Sequence, residues 1–453
     1  MSGLMSSLSL AARALDAQRS GLAVTGENIA NLNTEGYVRR SIQLAEGQPG
    51  AGGVDVLGTR ARRDVMLDAR IRQELPSESR ERAIAGSLGI VEAALGREGE
   101  SLDARLVRFF DAFSSLAQDA SSTVARDGVV QQGRLLAQSF NDIASRLDDA
   151  RRGADAQIRG GVADLSRLAA QVASLNQAIS ATLSGDAEGL RDQQAEALKA
   201  MADLADITVL RRGDGGVDVT LGEGRAIVMG ANAYALTAVD TPPTGFAAVE
   251  LGGVDITNEI GRGQLSGWVD VRDTMLPGYA SQLDAIAFEV VNEVNALHQG
   301  GTDLLGATGN NFFAPVGGSA GAATVMALTA AVEADSQRVA ASQSGAPGDN
   351  QVAKAIAALR DARVVGGTAT FADSWSQLVY RVGSDSQTAQ AQQKSRQQVV
   401  EQVTILRDQV SGVSLDEEAA LMMRFQRAYE ANARYFSAVD DMLATLMRIV
   451  GAG

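Results

Sequence analysis

The chain has 453 residues, 45% of them hydrophobic and 4% aromatic, a net charge of −15 and no cysteine. That length accommodates about three domains. The acidic balance lacks the basic field that nucleic-acid binding requires, and the missing thiols exclude disulfides, thiol catalysis and cysteine metal sites. A single histidine, His298, excludes a histidine-rich metal centre, so neither metal nor cofactor is expected.

In chain order, the N-terminal stretch repeats in sevens. Met1, Leu8, Leu15, Leu22 and Ile29 share one position, and Leu4, Ala11, Gln18, Thr25 and Leu32 share another. Such an a/d seam predicts a helix whose apolar stripe needs a partner helix, spanning roughly 42 Å at 1.5 Å per residue. Asn31, Asn33 and Gly36 then predict a helix end running into a turn, because all three tolerate left-handed backbone and the asparagines bond to nearby main chain. A short extended segment is expected over 41–57.

Helices are predicted over 65–96 and 101–117, the second with Leu102, Leu106, Phe109, Phe110 and Phe113 on one face. A long helix follows over 124–183, expected to break or loosen near Gly153 and Gly160–Gly161, and another covers 190–204. From Ile207 the texture turns to short β-branched runs punctuated by glycine, which predict antiparallel strands to about residue 256. Helix returns over 264–298 with Pro277 as a kink point. A further strand is predicted at 325–332, then helices over 351–359 and 374–410.

The last predicted helix, 415–450, carries the second seam. Met422, Tyr429, Phe436, Leu443 and Val450 hold one heptad position; Phe425, Asn432, Val439 and Leu446 hold the other. Two seams of equal length at opposite ends predict that the termini pair with each other or with copies of themselves. An antiparallel pair with both chain ends together would set polar Asn432 level with about residues 18–22, where an amide would help fix register.

The expected fold class is therefore mainly α, with paired coiled-coil-like terminal helices and an inserted small antiparallel β domain in an elongated multidomain chain. Residues 1–35 with 412–453 form the expected inner domain. Residues 36–204 with 264–411 form a helical middle domain, and 205–263, with part of 313–345 as an open extension, form the β domain.

Chemistry is sparse. The Gly213–Gly216 and Gly222–Gly224 clusters supply too few acidic ligands for a calcium loop and read as hairpin turns. His298 has no nucleophile motif beside it and reads as a helix-end histidine. The arginines Arg60, Arg62, Arg63, Arg70 and Arg72 would either meet acidic patches on a neighbouring subunit or form a solvated face. No phosphate loop or dinucleotide fingerprint is present. A role in assembly, not catalysis, is expected. The N-terminus has no secretory signal pattern. The longest uncharged stretch is broken by Asn310, Asn311, Pro315 and glycines, so no membrane association is expected.

Residues 14–40 strongly resemble the N-terminal motif of bacterial flagellar axial proteins, with Asn28, Asn31, Asn33, Gly36 and Tyr37 in the matching positions. Residues 411–420 and 425–434 resemble the C-terminal motif. Residues 106–117, 267–276 and 298–313 narrow the resemblance to the first hook-associated protein family. Residues 190–196 lack the fuller acidic pattern of that family, and the chain is short for it, so an outer domain of longer members is expected to be reduced or missing. The resemblance implies a homo-oligomeric ring joining flagellar hook to filament. Its implied partners are the hook protein, the next junction protein, a cytoplasmic export chaperone at the C-terminal helix, and the flagellar type III export apparatus. The implied location is the extracellular flagellum, reached without a cleaved signal. The alternatives are another axial protein, hook or distal rod, and a peptidoglycan hydrolase on an axial scaffold, which would need a committed carboxylate pair.

Overall fold

The computed structural model describes residues 2–34, 36–47, 53–95, 101–182 and 187–451. In order come α1 (Ser2–Ala30), a hairpin of β1 (Arg40–Glu46) and β2 (Val54–Ala61), then α2 (Val65–Leu95), α3 (Leu102–Gln118), α4 (Thr123–Ala181) and α5 (Glu188–Leu204). Strands β3 (Ile207–Arg211), β4 (Val217–Leu221), β5 (Arg225–Met229) and β6 (Asn232–Ala233) form one antiparallel sheet in sequence order; β7 (Leu236–Thr241), β8 (Phe246–Leu251) and β9 (Val254–Asp255) form another. Then follow α6 (Gln264–Asp270), α7 (Leu276–Gln299), α8 (Ala322–Val325), α9 (Ala330–Ala334), α10 (Gln351–Ala358), α11 (Phe371–Ser411) and α12 (Leu415–Gly451). The fold is mainly α with small antiparallel sheets. The predicted helix ends at Gly96 and Leu183 lie outside the described residues.

Two cores organise the middle. The first joins α3, the first half of α4, α7 and the start of α11 around Phe109, Phe110, Phe113, Phe312 and Phe313. Ring centroids lie 4.8 Å apart for Phe312 and Phe313 and 5.3 Å apart for Phe109 and Phe113, both edge-on, the geometry aromatic quadrupoles favour. The second core lays the other half of α4 and α5 against the strands through Val172, Met201, Val219, Ile227 and Val249.

Three local expectations change. Helix α4 runs through Gly153, Gly160 and Gly161 unbroken. Gly161 serves packing: a Cβ there would lie 2.9 Å from Leu265 Cδ2 and 3.0 Å from the Trp268 ring, so its absence lets α6 close on α4. Pro277 sits in the first turn of α7, and the chain before it, Val271–Met275, widens into π-helix. Proline offers no amide to the preceding turn, and a π segment absorbs that loss. The strand expected at 325–332 is absent; α8, α9 and an isolated bridge between Phe313 and Leu328 stand there. The Asn141 side-chain amide donates to the carbonyls of Ala323, Thr324 and Met326, and the Thr329 hydroxyl caps α9. Ala314 N donates to Ala327 O and Thr329 N to Phe312 O, so the pairing stops at that single bridge, and Met326, Leu328 and Val332 join the helical core, away from the strands.

The clusters read as turns are turns. Gly216 N donates to Asp214 Oδ1 at 3.0 Å between β3 and β4.

Candidate assembly site: the joined termini

Helices α1 and α12 are antiparallel. A Cβ on Gly21 would fall 2.5 Å from Phe425 Cε1, and Asn28 bonds to Glu418, so seven residues forward on α1 match seven back on α12. Continued along the pair, that relation places Asn432 opposite Ala14, about one helical turn (~6 Å) from Gln18. The expected antiparallel arrangement is present, and the expected level is displaced by that turn.

The contact face is narrower than the heptad reading. Small residues make it: Ala11, Ala17, Gly21, Val24, Thr25 and Asn28 are buried on α1, with Glu418 and Val439 on α12. Leu8, Leu15, Leu22 and Ile29 are half-buried, as are Met422, Asn432, Phe436 and Leu443. Tyr429 is 43% exposed in the single chain and stands off the seam. The Val450 side chain lies outside the described residues. Gly21 opposite Phe425 explains the closeness, because the ring occupies the space a side chain would take.

Where α1 ends, the N-terminal motif folds back. Asn31 donates through Nδ2 to Glu27 O at 2.9 Å and accepts from the Thr34 hydroxyl at 3.2 Å. Asn33 is exposed in the turn, and Gly36 has φ +79°, in the left-handed region. The chain returns past α1, which brings Tyr37, Arg39 and Arg40 beside Asn28. There Asn28 Oδ1 accepts from Tyr37 Oη at 2.9 Å and from Arg40 N at 3.0 Å, while Nδ2 donates to Arg40 O at 2.8 Å and to Glu418 Oε2 at 3.0 Å. Every hydrogen-bonding position of the buried amide is used, which an interior polar group requires. Burial pushes the Tyr37 phenol up to about 12, so it remains a donor.

Glu418 is 1% exposed. Its other oxygen accepts from Arg39 Nε at 2.7 Å, and Arg39 also reaches exposed Glu417 at 2.6 Å. Arg40 extends the network to Glu27 at 3.1 Å and to Asp192 of α5 at 2.8 Å, and Arg63 also bonds Asp192. The end of α11 closes it: Arg39 N donates to Ser411 O at 2.9 Å, and Asp64 N to Ser411 Oγ at 3.2 Å. The arrangement is a clamp that fastens both terminal motifs to the helical middle.

Of the motif residues read from sequence, Asn28 and Tyr37 enter the clamp, while Asn31 and Gly36 shape the turn. Arg39, Arg40, Asp192, Ser411 and Glu418 went unassigned. A signal existed: paired arginines 39–40 in one motif and the acidic run 416–418 in the other carry opposite charge. Within the arginine run, Arg63 pairs inside the chain with Asp192 and Arg70 with Glu74 at 2.6 Å. His298 is fully buried, with Nε2 accepting from Ala340 N at 2.9 Å and Nδ1 bonded to Asn310 O at 2.7 Å. That pattern holds the neutral ring, and burial lowers its pKa. Among the described residues no cluster of three or more histidine, aspartate or glutamate residues could hold a metal, and no helix is long and apolar enough to cross a membrane.

Comparison with known proteins gives a consistent result. Residues 88–313 match the model of the flagellar hook-associated protein FlgK helical domain. Residues 8–37 match the flagella basal body rod protein model, and 408–449 the flagellar basal body rod FlgEFG protein C-terminal model. Curated relatives include flagellar hook-associated protein 1 of Bacillus subtilis, 26% identical over 100% of both chains. The protein of that name in Salmonella typhimurium is 25% identical over 96% of this chain and 98% of its own. The structure of the flagellar hook junction protein FlgK from Burkholderia pseudomallei superposes with a TM-score of 0.67 at 14% identity, over 76% of this chain and 100% of that one, a likeness of fold.

Proposed function

Because this chain belongs to the FlgK family of flagellar hook-associated proteins, structural and non-enzymatic components of the bacterial flagellum, we propose that it forms the junction between hook and filament as a ring of self-associating subunits. The observation that carries this reading is a second apolar stripe on α12. Tyr435, Met442 and Ile449 recur every seven residues beside the seam that α1 fills, and they are 45%, 52% and 71% exposed. A helix that already has one partner and still shows a heptad stripe has room for another helix. The occupant is the terminal pair of a second copy, and many such weak contacts hold the ring.

Residues 1–35 and 412–453 then line the axis as the inner unit. The helical middle, 36–204 with 264–411, meets the hook protein below and the next junction protein above, and the strands of 205–263 project outward. Before assembly the exposed stripe suits a cytoplasmic export chaperone. Transit through the flagellar type III export apparatus, without a cleaved signal, would bring the chain to the extracellular flagellum. The models matched by the two ends bear rod-protein names, but the match over 88–313 favours a hook-associated protein over hook or distal rod.

Cells lacking the chain should keep hooks and lose filaments. The variant carrying Met442→Asp and Ile449→Asp should fold, since both side chains are exposed, yet fail to restore swimming. Wild-type swimming from that variant would remove the stripe from the reading.

A further inference from the structure

Beside the clamp, and sharing Arg63 and Asp192 with it, lies a pocket rich in positive charge. It opens where the turn after α1 meets α2, α5 and α11. Arg63, Arg72, Lys199 and Arg407 line it, facing Asp68 and Glu196. Asp192 on the same wall is already taken by Arg40 and Arg63, and Arg407 Nε lies 2.8 Å from Asp408.

Arg72 differs from these. Among the described residues its guanidinium has no hydrogen bond and no ion pair. It is half-buried, and the charges acting on it are Asp68 of its own helix against Arg63 and Arg211. Burial, with those two arginines, pushes its pKa below the ordinary value. A guanidinium withdrawn from water beside two others is unfavourable unless a counter-charge arrives. Asp192 answers Arg63, and Asp68 acts on Arg72 from the same helix, so among the described residues the Arg72 guanidinium is left without a hydrogen-bonded counter-ion of its own.

We propose that this pocket binds a small oxyanion, carboxylate or phosphate, through Arg72, with Arg63 on the same wall. The pocket, about 60 Å³, takes a group of a few heavy atoms such as a carboxylate or phosphate and is too small for a nucleotide. A planar guanidinium matches two oxygens of either group. Occupation would tie α2, α5 and α11 to the turn carrying Gly36. The oxyanion has two possible sources, free ions or an acidic side chain of a neighbouring subunit. With free ions the site is independent of the ring reading; with a neighbouring subunit it rests on that reading.

Thermal unfolding of the full chain in sodium phosphate and sodium acetate, each against sodium chloride at equal ionic strength, reads free anions. A free-ion site raises the wild-type midpoint in the oxyanion alone. Arg72→Met then weakens the apparent affinity at least about tenfold. A site filled by a neighbouring subunit leaves the isolated chain insensitive to both anions. In that case Arg72→Glu, folded by circular dichroism, fails to support swimming while Arg72→Lys retains part of it. An insensitive wild type together with normal swimming of Arg72→Glu overturns the site. An oxyanion response undiminished in Arg72→Met does the same.

Discussion

Asn28 and Glu418, 390 residues apart in sequence, share a 3.0 Å hydrogen bond inside the protein. Through it the first and last helices are held in one register, and through Arg39 and Arg40 the same network reaches α5 and the end of α11. A buried carboxylate is tolerated only where its oxygens are satisfied, so this bond makes the terminal pairing selective as well as stable.

Removal of that carboxylate should open the clamp. Glu418→Ala removes the buried carboxylate that Arg39 and the Asn28 amide share, and losing one member of such a pair costs about 3–5 kcal/mol. The expected result is early hydrogen exchange in α1 and α12 with the aromatic core still protected. Unchanged exchange in both terminal helices would dismiss the clamp.

At Gly21, two effects oppose. Alanine in a helix gains about 1 kcal/mol over glycine, while overpacking against the Phe425 ring costs typically 1–3 kcal/mol. Gly21→Val adds bulk with little propensity gain and should lower the unfolding midpoint of the terminal pair. Phe425→Leu should make Gly21→Ala neutral or stabilising, as a double-mutant cycle of thermal midpoints would reveal.

Register can be read by cross-linking, since the chain has no cysteine of its own. Ala14→Cys with Asn432→Cys should form a disulfide within one chain. Ala14→Cys with Leu446→Cys, about four turns away along the pair, should not. The reverse yields would refute the antiparallel register.

His298 gives the helical core a dependence on pH. Its folded pKa lies below 6.5, so the unfolded chain takes up a proton at higher pH than the folded one. The stability it contributes is complete above about pH 6.5 and falls away as the pH drops below that value. Denaturant midpoints measured from about pH 7.5 to 5 should decline more steeply in the wild type than in His298→Asn, which is weaker throughout. Equal slopes would show that the ring takes up its proton in both states alike.

The sequence alone determined the long helices, because their buried faces repeat at helical spacing. Phe109, Phe110 and Phe113 or Leu283, Ile286 and Val290 can share one side only in a helix. It also determined the glycine-punctuated strands and the need of both terminal seams for a partner. Only the tertiary structure decided which face of α1 is used. Heptad spacing leaves neighbouring stripes nearly equivalent, and the close approach of Gly21 to Phe425 selected small residues over the Leu8, Leu15, Leu22 and Ile29 stripe. It decided that Gly161 admits a neighbouring helix instead of breaking its own. It decided, too, that the Met326 carbonyl meets the Asn141 amide, nearly two hundred residues away, while Ala327 O and Thr329 N bond to Ala314 and Phe312. The clamp escaped sequence reading for the same reason: Asn28 and Arg39, Asp192, and Glu418 become one network only when three distant segments are folded together, and local periodicity carries no information about such contacts.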